Sequence, residues 1–144
     1  FENRNMLKKM TMLCLGLGFA LQAQAFDRNQ VNYNDFWGTW SIYNTKTSCS
    51  DVFTFTKPAK FSYTSKQKKM SGKFSIVSSN NNQLHDLLII KVKNDNRLLG
   101  CNNQNLDFSN KNVNYVLKWI GPKTAEICSD REAKKCTGAF LMKQ

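Results

Sequence analysis

Apolar side chains recur at every second position along most of this chain. Trp40 and Ile42 alternate with Ser41 and Tyr43, Phe53 and Phe55 with Thr54 and Thr56, and Phe61 and Tyr63 with Ser62 and Thr64. Phe74 and Ile76 follow, then Leu88, Ile90 and Val92, with Lys91 and Lys93 out of phase. Val113, Tyr115, Leu117 and Trp119 form the longest row, and short apolar runs at 125–128 and 139–142 close the chain. A repeat of two places alternate side chains on opposite faces of a strand and does not suit a helix. Polar, Pro, Gly and Asn-rich stretches at 57–60, 66–69, 79–83, 94–96 and 121–123 separate the runs and read as turns. About eight short strands joined this way predict an all-β fold, an antiparallel barrel or sandwich. Helix is confined to single turns, expected at 34–37 and 129–135.

The first 25 residues have a different character. Lys8 and Lys9 precede an apolar run at 10–21, and Ala23-Gln24-Ala25 supplies small residues for cleavage. Met6 to Ala25 thus reads as a secretory signal peptide cleaved after Ala25, with residues 1–5 lying before its start. The run is too short for a membrane span, and no later segment is longer. Cys14 follows Leu13, where lipidation of a cysteine wants a small residue, so Cys14 is discarded with the leader. The expectation is an exported protein, periplasmic or secreted, whose functional part is one domain at 26–144. Removing residues 1–25 takes away Arg4, Lys8, Lys9 and Glu2. The remaining 119 residues carry 18 Lys+Arg against 9 Asp+Glu, a net charge of +9. Such a balance favours anionic partners.

Four cysteines remain: Cys49, Cys101, Cys128 and Cys136. An even number in a small exported domain implies two disulfides. Three pairings are open. The favoured one joins Cys128 to Cys136 across one polar loop, and Cys49 to Cys101. Zinc is disfavoured, because no C-x-x-C pair is present and His85 is the only histidine.

Gly38-Thr39-Trp40 opens the first strand, with Phe36 and Trp37 just before it, and Tyr115 lies late in the chain. A glycine there lets the chain turn sharply into the strand. This G-x-W resembles the signature of the lipocalin or calycin superfamily, although the family's late arginine has only Arg131 as a counterpart. The resemblance implies a calycin-like up-and-down barrel with an apolar pocket. The site it implies is walled by the inward residues Trp40, Phe53, Phe55, Tyr63, Leu88, Ile90, Tyr115 and Trp119, with Trp40 closing the base. Turn lysines near the mouth would attract a carboxylate or phosphate head group.

Two other chemistries have candidate residues. Phe53, Phe55, Phe61 and Tyr63 interleave with Lys57, Lys60, Lys66, Lys68 and Lys69, as single-strand nucleic-acid platforms do. Alternation turns those aromatics to the core and leaves the lysines in turns, so no specific nucleic acid is expected. His85 could act as a general base, but no nucleophile motif, second histidine, metal cluster or phosphate loop accompanies it. The expected function is therefore non-enzymatic and without cofactor or metal. A monomeric exported barrel would hold a small lipophilic or anionic amphipathic ligand. The alternative is a solid barrel whose basic surface binds a macromolecule or polyanion.

Overall fold

The structure is a computed structural model that describes residues 26–81 and 83–144. The leader expected at 6–25 lies outside the described residues. Eight strands form one closed antiparallel barrel in chain order: β1 Gly38–Asn44, β2 Cys49–Thr56, β3 Lys60–Ser65, β4 Lys68–Val77, β5 Asp86–Asp95, β6 Asn112–Gly121, β7 Thr124–Cys128 and β8 Cys136–Lys143. β8 returns to β1, with Ile42 opposite Leu141, so the closed sheet leaves no edge strand. Every alternating run in the sequence lies on one of these strands. No helix among the described residues is long and apolar enough to cross a membrane.

The inward rows fill most of the barrel. Trp40, Phe53, Phe55, Leu88, Ile90, Leu117 and Leu141 are each 2 % exposed or less. Their rings interlock: Phe53 stacks on Phe55 at 5.6 Å, and Phe55 meets Phe74 at 4.7 Å. Burying each such side chain contributes roughly 1.5–3 kcal/mol. Gly72 permits the tightest crossing. A Cβ there would sit 2.0 Å from the carbonyl oxygen of Lys91, at the irregularity where β4 pairs with β5.

An N-terminal segment closes one end of the barrel. Two short 3-10 turns, Arg28–Gln30 and Tyr33–Asp35, lead into Phe36. Asn32 caps the second by accepting the Asn34 N–H, which realises the single turn expected near 34–37. Phe36 enters the barrel mouth and stacks on Trp40 at 5.1 Å, and the Trp40 indole N–H donates to the Phe36 carbonyl at 2.7 Å. Tyr33 and Trp119 both donate to the same oxygen of buried Asp86, at 2.5 and 2.9 Å. Arg28 donates to the carbonyls of Leu84, Ser79 and Asn81, tying the β4–β5 connection to this plug.

The long β5–β6 connection covers the opposite end. Two disulfides are formed, Cys49–Cys101 and Cys128–Cys136, and the first pins this loop to the start of β2. Lys68 corrects the expectation of a charged turn at 66–69. The turn is only Lys66-Gln67, with Lys66 at φ 51°, and Lys68 already belongs to β4 in phase with Met70. Its ammonium is buried against Asp95 at 2.7 Å. Residues 129–135 likewise form no helical turn. Asp130 accepts the Lys134 and Lys135 backbone N–H groups, and Ala133 takes φ 56°, which folds the loop irregularly.

Candidate functional site

Among the recesses formed by the described residues, two lie at opposite ends of the barrel. The larger is an open groove of about 390 Å³ beside the N-terminal plug. Phe36, Trp37, Pro58, Ala59, Phe74 and Ile76 make its apolar floor and walls, and Tyr33, Asn34, Ser75 and Ser78 its polar margin. Three distant segments meet here because Phe36 must reach the mouth to cover Trp40. Trp37, next in sequence, is then left half-buried at the rim. Its indole N–H reaches the Pro58 carbonyl at 3.4 Å, and the Lys57 ammonium sits 4.8 Å from its ring centroid. Among the described residues, no carboxylate lines the groove.

Lysines continue from this rim across the outer wall. Lys60 pairs directly with Lys73, and Lys73 with Lys91, which sets three exposed ammonium groups on adjacent strands. None of the three makes a salt bridge among the described residues. Like charges placed directly opposite destabilise a sheet.

The smaller recess, of about 150 Å³, lies inside the other end beneath the β5–β6 loop. Tyr63 and Tyr115 from the barrel wall line it, with Asp51 between the strand ends and Phe108 from the loop. Of the eight residues read from the sequence as ligand-binding, these two tyrosines line this recess and Trp119 lines another. Trp40, Phe53, Phe55, Leu88 and Ile90 lie in the packed core and line neither recess. Trp119 caps the core at the plugged end, where it also lines a recess of about 230 Å³ with His85 and Arg28. Trp37 lines the groove, Lys57 sits over the Trp37 ring, and neither is among the eight. Trp37 precedes β1, outside the reach of the strand alternation, and packs half-buried against the edge of the core.

His85 lines a surface recess of about 390 Å³ with Gln83, Glu132 and Lys134. Burial, then the nearby charges of Arg28 and Lys118, hold its imidazole below the usual histidine range. Its backbone is taken up by Arg131: the His85 N–H donates to the Arg131 carbonyl, and the Arg131 guanidinium donates to the His85 carbonyl. Arg131 is thereby engaged at His85 rather than stacked on Trp40, where the lipocalin pattern wants an arginine. Glu126, Cys128 and Cys136 bring potential metal-ligand atoms within 4.8 Å of one another, but both sulfurs are joined in a disulfide and neither is a thiolate.

What these features define is a closed eight-stranded antiparallel barrel with two disulfides, plugged at one end and lidded at the other. Comparison with protein-family models, curated proteins and solved structures gives no match for the chain.

Proposed function

We propose that this chain is a non-enzymatic binding protein of an oxidising, extracytoplasmic compartment. Its ligand is an anionic amphipath: one apolar chain bearing a carboxylate or phosphate, seated in the groove beside Trp37. The observation that carries this is an apolar groove of about 390 Å³ lined by Trp37, with the Lys57 ammonium 4.8 Å from that ring and in no salt bridge among the described residues. Small-molecule sites commonly span about 300–1,000 Å³ and combine apolar walls with a few polar groups. Lys60 and Lys73 flank Ala59 and Phe74 in sequence and add positive charge near the same margin. The ligand thus lies at the barrel's end instead of in its interior, which aromatic rings occupy. Two disulfides and a short cleavable leader support export. Strand closure supports a monomer. The up-and-down order with Gly38-Thr39-Trp40 at the head of β1 supports kinship with lipocalin-like barrels.

Tryptophan emission tests the reading. Decanoate and decyl phosphate should bind saturably below their micelle concentrations, and Trp37→Phe should remove most of the response. Lys57→Ala should weaken both by about five- to tenfold, the value of one charge-assisted contact, and leave decanol unaffected. Equal binding of decyltrimethylammonium would remove the basis for an anionic ligand.

The Lys60–Lys73–Lys91 row favours a second reading, in which the outer wall docks on an anionic surface. Ser62, Ser71 and Ser75 are its outward neighbours, so nothing on that face would stack a nucleobase. Salt separates the two modes. Surface docking should fade between low and high ionic strength, as exposed charges are screened within about 10 Å at 0.1 M, whereas groove binding should persist through its apolar part.

A further inference from the structure

We infer that the lidded end of the barrel holds a second site, independent of the groove, for a small organic cation. The recess there is partly enclosed, and its volume of about 150 Å³ suits a few-carbon ammonium compound, not a lipid. It offers one carboxylate, Asp51, beside the rings of Tyr63 and Tyr115; Lys68 lines it too, with its ammonium 5.6 Å from the centroid of the Phe108 ring, so the two tyrosines supply the free aromatic side chains. A carboxylate with aromatic faces around it is the pairing that attracts an ammonium group.

The charge balance of the recess turns on Lys68. Its Nζ lies 2.7 and 2.8 Å from the two Asp95 oxygens and donates to the Leu106 carbonyl at 2.9 Å. Those bonds use its three protons and neutralise it, so it does not answer Asp51. Ser65 does not answer it either. Its hydroxyl oxygen accepts the Cys101 N–H at 2.7 Å and therefore turns its proton to Asp51 at 2.6 Å. That bond orients Asp51 without cancelling its charge. Burial and the Asp51 charge push the Tyr115 hydroxyl up to about 12, and the same two causes raise Tyr63, so both rings stay neutral phenols. The recess is thus locally anionic inside a chain of net positive charge. One carboxylate is far too few for calcium, which takes about six to eight oxygens. The lid is held from two sides, by Cys49–Cys101 and by the Asp95–Phe108 hydrogen bond at 2.9 Å, which keeps the volume open.

Proton NMR of the tyrosine rings, with choline as probe and 3,3-dimethylbutan-1-ol as its uncharged isostere, tests this site. Choline should shift the Tyr63 and Tyr115 signals saturably, and the alcohol should bind at least about tenfold more weakly. Asp51→Asn should lower choline affinity by about tenfold, one carboxylate–cation contact's worth, while circular dichroism stays unchanged. Equal binding of choline and the alcohol, absence of saturable shifts, or undiminished affinity in Asp51→Asn would overturn the site. Should Asp51→Asn fail to fold, the comparison of choline with its isostere on the native chain decides alone.

Discussion

Replacing Asp95 by asparagine should be among the most damaging single changes in this barrel. The side chains of Lys68 and Asp95 are 4 % and 0 % exposed. Asp95 also accepts the backbone N–H groups of Arg97 and Phe108 at 2.8 and 2.9 Å, so it secures both the pair and the base of the lid. The neutral amide would leave the Lys68 ammonium buried without a counter-charge, a cost of about 3–5 kcal/mol. Total stability of a domain is about 5–15 kcal/mol, so the loss is large. Adding Lys68→Met removes the stranded charge, and the double variant should be more stable than Asp95→Asn. Urea unfolding followed by far-UV circular dichroism measures all four corners of the cycle. A cost below about 1 kcal/mol for Asp95→Asn, or strict additivity in the double variant, would refute the picture of a buried, coupled pair. Acid gives a second view. Burial acts to raise the Asp95 carboxyl, but the Lys68 hydrogen bond and the two backbone donors outweigh it and hold the group below 3.8. A carboxyl depressed in the fold adds stability that is present above its unfolded value of 3.8. That stability disappears as pH falls through the lower folded value, and Asp95→Asn should flatten this acid limb.

The remaining expectations concern the lid, the wall and the plug. Removing Cys49–Cys101, which spans 52 residues, should cost about 4 kcal/mol by loop entropy, against about 2.5 kcal/mol for Cys128–Cys136 across 8; denaturant midpoints of the paired Cys→Ala variants check the order. Gly72→Ala should destabilise by about 2 kcal/mol or more, because the added methyl meets the Lys91 backbone and not a movable side chain; a thermal melt reads it. His85 is lowered by burial and neighbouring positive charge, so its stabilising share is complete above pH 6.5 and is lost as pH falls toward the lower folded value. His85→Gln should erase that part of the pH dependence, seen as a change in slope below pH 6.5.

The strands were legible because each has its own inward row. Leu88, Ile90 and Val92, or Tyr115, Leu117 and Trp119, announce a face without help from the rest of the chain. Four cysteines implied two disulfides with three pairings open, and the favoured pairing is the one formed. Lys68 was not legible. Its run, Lys66 to Lys69, has the composition of a charged turn, and only Asp95, 27 residues further on, makes burial of an ammonium tolerable. The candidate sites were hidden for the same reason. The groove is assembled from segments near 33–37, 58–59 and 74–78, and the anionic recess from Asp51, two barrel tyrosines and the lid. Local alternation reports which side chains point inward, but it does not say how far along the barrel the rings leave space. The eight inward residues therefore divided between core and cavity in a way that only the packed ends reveal.

The groove reading is tested most directly by labelling with 5-fluorotryptophan and titrating decanoate against the three resonances of Trp37, Trp40 and Trp119 in fluorine NMR. Trp37 lines the groove and is half-buried, whereas Trp40 and Trp119 are 2 % and 6 % exposed within the core. A saturable shift of the Trp37 resonance, with Trp40 and Trp119 nearly still, is expected. No shift at Trp37, or larger shifts at Trp40 and Trp119, would contradict a groove site and return the ligand to the barrel interior or to the outer wall.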